Sequence, residues 1–170
     1  MSILHLFIIM IIVSYVILYT RPKTYTEILQ TNVEDISPEL LLEKQPVLIF
    51  DTIVNLDDII NTTFKYMYTF KKKQSLILEE QPPVYQNNSK YALFHNNTDA
   101  DIKIDITKSR IKQNHFNIFA TIIKEHESKN SIQIILKPHN VLILPYLFYF
   151  EPRNDIDVVF LNDIFHMITL

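Results

Sequence analysis

Glycine is absent from all 170 residues of this chain, whereas average usage is about 7%. The absence constrains every tight turn. Gly-rich phosphate loops of the dinucleotide-binding and Walker A kinds are excluded, because their backbones must approach phosphate where no Cβ fits. Any turn that needs φ > 0 must use another residue, and Asn, Asp and His tolerate that region best after glycine. The stretches Gln86-Asn87-Asn88 and Asn96-Asn97 are expected to serve as such turns. Cysteine is absent as well, which removes disulfides, thiolate nucleophiles and Cys-ligated metals.

From Ile3 to Tyr19 the chain reads ILHLFIIMIIVSYVILY, with no formal charge when His5 is neutral. About 17 residues at 1.5 Å each is the short end of a bilayer-spanning helix. Tyr15 and Tyr19 fall near its C-terminal end, where amphipathic rings favour the headgroup level. Pro22 stops the helix, and Arg21 and Lys23 flank it. A cleaved signal peptide wants a basic start and a small-residue cleavage site; Met1 to His5 carries no Lys or Arg, and SYVILYTRP has no such site. The expectation is a single-pass anchor, residues 1–23, whose partner is the lipid bilayer via Ile3 to Tyr19. Two flanking basic residues then place the following domain on the cytoplasmic side. The opposite topology would expose acceptor sequons at Asn61, Asn87 and Asn96.

Residues 24–170 suffice for one domain of ordinary size. The net charge of −3 supplies no basic field for nucleic acid. Lys71-Lys72-Lys73 is the one positive cluster and is expected to be a solvated turn. Residues 24–63 read as a mostly helical preamble. Thr24 to Lys44 suggests two short helices, the second capped by Ser37 with Pro38 at its first position. Val47–Phe50 is a buried-strand run, and Asn55 to Phe64 a helix capped by Asn55, with Asp57 and Asp58 in its first turn. Beyond it the period changes to two. Strands are expected over Phe64–Phe70, Ser75–Leu78, Tyr91–Phe94, Asp101–Ile106, Phe116–Lys124, Ser131–Leu136, Val141–Phe150 (two core strands bent at Pro145) and Asp157–Leu161. Short strands at this spacing, with no long helices between them, predict a sandwich or barrel rather than a parallel sheet.

Residues 136–149 read Leu-Lys-Pro-His-Asn-Val-Leu-Ile-Leu-Pro-Tyr-Leu-Phe-Tyr. This resembles the late hairpin of cupin-type double-stranded β-helix proteins, particularly their JmjC-like branch. Leu136, Pro138, Leu142 and Pro145 fall in step with the family pattern. The short helix, Glu-Lys-Gln-Pro and the strand Val47–Phe50 are similar to the opening of those domains. The resemblance implies a mainly β fold: an anchor followed by a cupin-like sandwich with a few short helices at its start. It also implies where iron ligands would lie, and there the chain departs. The family's Gly-Asp turn is His139-Asn140, no His-x-Asp or His-x-Glu triplet occurs, and Tyr149 or Phe150 stands where the distal His belongs. A 2-His-1-carboxylate triad is therefore not identifiable.

The remaining histidines offer little chemistry. His126 lies in Glu125-His126-Glu127-Ser128, which reads as a hairpin loop, and His95 with Asp99 and Asp101 reads as Asn-rich turn chemistry. Asp155 and Asp157 read as a wet strand edge. No catalytic, metal or cofactor-binding residue is assigned, and no small-molecule ligand. The aromatics of Phe64–Phe70 and Tyr146–Phe150 are expected in the core. Heavy use of Ile, Asn, Lys, Tyr and Phe suits an AT-biased genome, as in large cytoplasmic DNA viruses, some protists and some bacteria. The expected function is a non-enzymatic structural or interaction protein tethered at a viral internal or host membrane. An Fe(II)/2-oxoglutarate-type hydroxylase with unrecognised ligands is the alternative, and an outward-facing glycosylated binding module the third.

Overall fold

The computed structural model describes residues 3–20, 26–50, 55–64, 70–78, 83–108, 117, 119–123 and 131–169. The apolar run forms α1 (Ile3–Thr20). A short preamble follows: β1 (Leu29–Asn32), a 3-10 turn (Val33–Asp35), α2 (Pro38–Leu42), β2 (Val47–Phe50) and α3 (Leu56–Thr63). Then come β3 (Phe70–Leu76), β4 (Val84–Asn87), β5 (Tyr91–His95), β6 (Ile102–Lys108), β7 (Ala120–Ile123), β8 (Ile132–Leu136), β9 (Val141–Pro145), β10 (Phe148–Pro152), β11 (Ile156–Asn162) and α4 (Ile164–Thr169).

The strands form two sheets, ordered β1-β2-β9-β5-β11-β3 and β7-β4-β10-β6-β8. The fold is mainly β, a sandwich, with short helices. From β3 onward, and leaving β7 aside, strands pair first with last: β3 with β11, β4 with β10, β5 with β9 and β6 with β8, all antiparallel. The chain is thus one long two-stranded ribbon whose closed end is β6–β8. Its successive turns fall alternately in the two sheets and are stitched by β5–β11 and β6–β10.

Side-chain alternation follows from this wrapping. In the five-stranded sheet, β6 sends Ile102, Ile104 and Ile106 inward and leaves Lys103 exposed, because its other face meets water. The inner strands of the six-stranded sheet are buried on both faces, so β2, β5, β9 and most of β11 are continuously apolar, whereas the edge strands β1 and β3 are polar. Phe94, Leu142, Leu144, Val158 and Phe160 face the interior of the sandwich. Leu93, Val141, Ile143, Val159 and Leu161 pack under α2 and α3, against Leu41, Leu56, Ile59, Ile60 and Phe64. Both helices start as expected. Ser37 accepts from the Leu40 amide at 3.2 Å, and Asn55 from that of Asp57 at 3.2 Å.

Several expectations are corrected. Leu29–Asn32 is a strand, not part of a helix, because it pairs in parallel with β2; tertiary pairing overrides a modest local propensity. Lys71–Lys73 is no turn. It lies within β3, a sheet edge, where lysines discourage pairing with another chain. Phe64 caps α3 rather than opening a strand, and residues 65–69 lie outside the described set. Gln86 and Asn87 belong to β4 and are fully buried. The segment 141–150 does hold two core strands, but Tyr146 and Leu147 separate them and they lie in different sheets.

The turn residues are only partly those expected. Positive φ occurs at Lys44 (54°), His139 (62°) and Leu147 (65°). Only His139 belongs to the tolerant class, and the left-handed region costs other residues about 1–2 kcal/mol. At Leu147 the neighbourhood over-determines the turn: its amide donates to the Asn87 carbonyl at 3.1 Å. The Asn87 side chain holds the carbonyls of Leu144 and Pro145 from the same side, at 3.0 and 2.9 Å.

The expected span Ile3 to Tyr19 does form a helix, and its described side chains are exposed except for Ile12, which is partly covered. Among the described residues, however, no helix is long and apolar enough to cross a membrane. The 18 residues of α1 rise about 27 Å against a hydrocarbon core of about 30 Å.

Candidate functional site

The interior of the sandwich is filled by side chains. Phe94, Phe148, Phe150 and Phe160 are each at most 1% exposed and share one core with Ile104, Ile106, Leu136 and Leu144. Phe150 stacks on Tyr85 at 5.2 Å and meets the edge of Phe94 at 4.9 Å. Of the two positions that the cupin resemblance gives to a distal His, Phe150 is therefore a core ring. Tyr149 points the other way, between Gln86 and Thr107 of the neighbouring strands.

A cleft of about 430 Å³ opens between the β3 edge of one sheet and the β7–β4 edge of the other. Alternation along β3 decides what it presents. Lys72, Gln74 and Leu76 line the cleft, while Lys71 and Lys73 turn to the opposite face to pair with Asp57 and Asp157. Tyr85, Phe160, Asn117, Ala120, Thr121 and Ile122 complete the wall. The Lys72 ammonium sits 5.4 Å from the centre of the Phe119 ring.

The chemistry of this lining is limited. Among the described residues it offers one amine, two amides, a hydroxyl and a phenol, with no imidazole and no carboxylate. Iron of the oxygenase type needs His and carboxylate ligands facing open positions, and these residues do not fit it. Among the described residues, no three His, Asp or Glu side chains gather closely enough to hold a metal ion. The cleft can accept a small polar molecule; nothing in its lining pairs a nucleophile with a base.

The histidines disperse. His95 is half-buried at the end of β5; burial, followed by the charges of His139 and Lys73, holds its pKa below the ordinary value. Asp99 and Asp101 are exposed in the turn beyond it. His126 and His115 lie outside the described residues. Asn96, expected as a turn residue, is one. Its Oδ1 accepts from the Thr98 amide at 2.9 Å, and its Nδ2 donates to the carbonyls of Ala100 and Leu136 at 2.8 Å each. Asp157 is partly exposed but not at a sheet edge, because β11 is paired on both sides, with β3 and β5. It accepts from Ser75 Oγ at 2.6 Å and pairs with Lys73 at 3.2 Å, and these contacts lower its pKa.

A buried polar network went unanticipated. It lies at the end of the sandwich where β4, β5, β9 and β11 meet. Asn87 Oδ1 accepts from the Ser89 amide at 3.0 Å, and the Lys90 amide donates to Asn162 Oδ1 at 2.8 Å. Lys90 and Asp163 form an ion pair with side chains 5% and 13% exposed. His166, 2% exposed, lies with Nε2 3.0 Å from the Asn88 carbonyl and its ring edge-on to Tyr146 at 4.7 Å. Burial raises the Tyr146 pKa. The cue in the sequence was Gln86-Asn87-Asn88, read as a turn because Asn tolerates φ > 0.

No family model, curated protein or solved structure matches this chain.

Proposed function

We propose that the protein is a membrane-tethered, non-catalytic module built on a degenerate double-stranded β-helix, acting as a structural or interaction component of a membrane. The observation that carries the tether is α1. It is apolar on every side, with Ile3, Leu4, Phe7 and Met10 all more than half exposed, and a helix of that kind belongs in an apolar medium. Local thinning of the bilayer and snorkelling of flanking residues take up its shortfall of a few ångströms. The scaffold reading rests on the first-with-last strand pairing, which winds a double-stranded ribbon into a helix. The non-catalytic reading is supported by aromatic rings filling the interior and by a cleft whose lining, among the described residues, holds no imidazole or carboxylate. Residue usage biased toward AT-rich codons favours a viral internal membrane or virion as the setting.

Arg21 and Lys23 favour the cytoplasmic side for the domain. The glycosylated alternative has little to work with. Asn87 and Asn96 are fully buried with engaged amides, so a glycan on either is incompatible with the fold, and Asn61 alone is exposed.

Alkaline carbonate extraction of membranes expressing the full chain tests the tether. The protein is expected in the pellet, and Ile8→Asp combined with Ile12→Asp in the supernatant. Release of the unaltered chain would overturn the tether. A glycosidase-sensitive gel shift would reverse the topology. For the full-length protein in detergent, Fe(II) with 2-oxoglutarate is expected to leave the melting temperature unchanged. A clear rise would overturn the non-catalytic reading, since a ligand of the folded state stabilises it.

A further inference from the structure

We propose that α4 is an interfacial docking helix that lays one end of the sandwich against the bilayer holding α1; the inference rests on the anchor reading above. The seat of α4 is fixed from beneath. Asp163 immediately precedes it, accepts from the His166 amide at 2.7 Å through Oδ1, and pairs with the buried Lys90 through Oδ2. The Met167 amide donates to the Asp163 carbonyl at 3.2 Å, closing the first turn. His166 is turned inward onto Asn88 and Tyr146. With the helix held this way, Ile164 and Phe165 face outward, 51% and 43% exposed.

The surroundings of that face identify its occupant. The β3–β11 register sets Phe70, 38% exposed, opposite Asn162, at the same end of the sandwich. Phe70, Ile164 and Phe165 are thus exposed apolar side chains at one end of the sandwich, a rim that α1 approaches through α4. The rim is continuous with a helix that is itself apolar all round. A phenyl ring and a branched aliphatic chain on a short helix suit the boundary between headgroups and acyl chains, where apolar faces bury about 5–10 Å deep. A second protein is a weaker fit, since it would have to cover the rim and leave the adjoining α1 free to enter lipid.

The chain contains no tryptophan, so single substitutions make unique fluorescent reporters. Full-length Phe165→Trp, Ile8→Trp and Ile135→Trp are each reconstituted in phosphatidylcholine–phosphatidylglycerol vesicles containing brominated lipid. Ile135 is the control, exposed on the outer face of the distal sheet. Each substitution is at an exposed site, and a melt equal to that of the parent confirms folding. Phe165→Trp is expected to lose about half its emission or more to bromines near the headgroup end of the acyl chain, and less to deep bromines. Ile8→Trp is expected to be quenched by deep bromines, and Ile135→Trp by neither. Weak quenching of Phe165→Trp alongside strong quenching of Ile8→Trp overturns the docking helix and leaves the anchor standing. Absence of quenching at Ile8→Trp overturns the anchor and the docking with it. Protection of Phe165→Trp from aqueous iodide without bromolipid quenching assigns the rim to a protein partner or second copy, which also overturns it.

Discussion

Replacing Asn87 by alanine removes four directed hydrogen bonds: two donated to the Leu144 and Pro145 carbonyls and two accepted, from the Ser89 amide and the Ser89 hydroxyl. The side chain is fully buried, so no solvent replaces them. A buried hydrogen bond contributes about 1 kcal/mol net, and a donor or acceptor left unsatisfied costs about 1–3 kcal/mol. The Ser89 amide retains the Phe119 carbonyl at 3.1 Å and each carbonyl a second lone pair, so the loss is that of the four bonds themselves. The sum is a loss of roughly 3–5 kcal/mol, a large share of the 5–15 kcal/mol typical of a domain. Urea unfolding of the full-length protein in mild detergent, followed by circular dichroism, reads this directly. At a slope of about 2 kcal/mol/M the midpoint falls by about 2 M with the slope unchanged. Asn87→Asp keeps the acceptor for Ser89 but turns an oxygen toward two carbonyls, and at neutral pH it is expected to destabilise at least as much. A loss below about 1 kcal/mol for Asn87→Ala would refute the reasoning, because it would mean the network carries no net stabilisation.

Phe150→Ala opens a cavity between Tyr85 and Phe94 and is expected to cost about 3–5 kcal/mol in the same assay; a loss under about 1 kcal/mol would contradict a filled interior. Lys90→Met removes the ion-pair partner of the largely covered Asp163, at an expected cost of about 3–5 kcal/mol, whereas a second substitution, Asp163→Leu, is expected to restore part of the loss. Equal stability of the single and double variants would argue against coupling through the pair. His95, held below its ordinary pKa of 6.5, takes up its proton in the unfolded chain first as pH falls. Stability present above the unfolded value is therefore lost as pH drops below it toward the depressed folded value. His95→Gln should flatten the stability profile between about pH 7 and 5, and an unchanged profile would show that another group is responsible.

The sequence revealed little of the candidate sites. The cleft depends on Lys72 sharing a face with Gln74 and Leu76 and meeting Asn117 and Thr121 across the gap, a juxtaposition that no local pattern contains. The polar network was hidden for a related reason. Asn87 looks like a turn residue until strands more than fifty positions away supply the carbonyls its amide holds. Sequence reasoning did better where one residue acts on its neighbours, as with the Asn96 turn and the Ser37 and Asn55 caps.

The same division runs through the fold. Apolar periodicity and local capping, which act within a few residues, determined the apolar helix, the starts of α2 and α3, the alternating strand β6 and the β-rich class. Missing glycine determined which loops were impossible. Left-handed backbone at Leu147 was not foreseeable from residue preference, because its cost of about 1–2 kcal/mol is met by contact with Asn87, far off in the chain. Tertiary structure alone decided that Leu29–Asn32 and Val84–Asn87 would be strands, that β9 and β10 would part into different sheets, and that α4 would turn His166 inward and Phe165 outward. Each of these depends on hydrogen bonds and burial between residues far apart in the chain, which a local pattern does not encode.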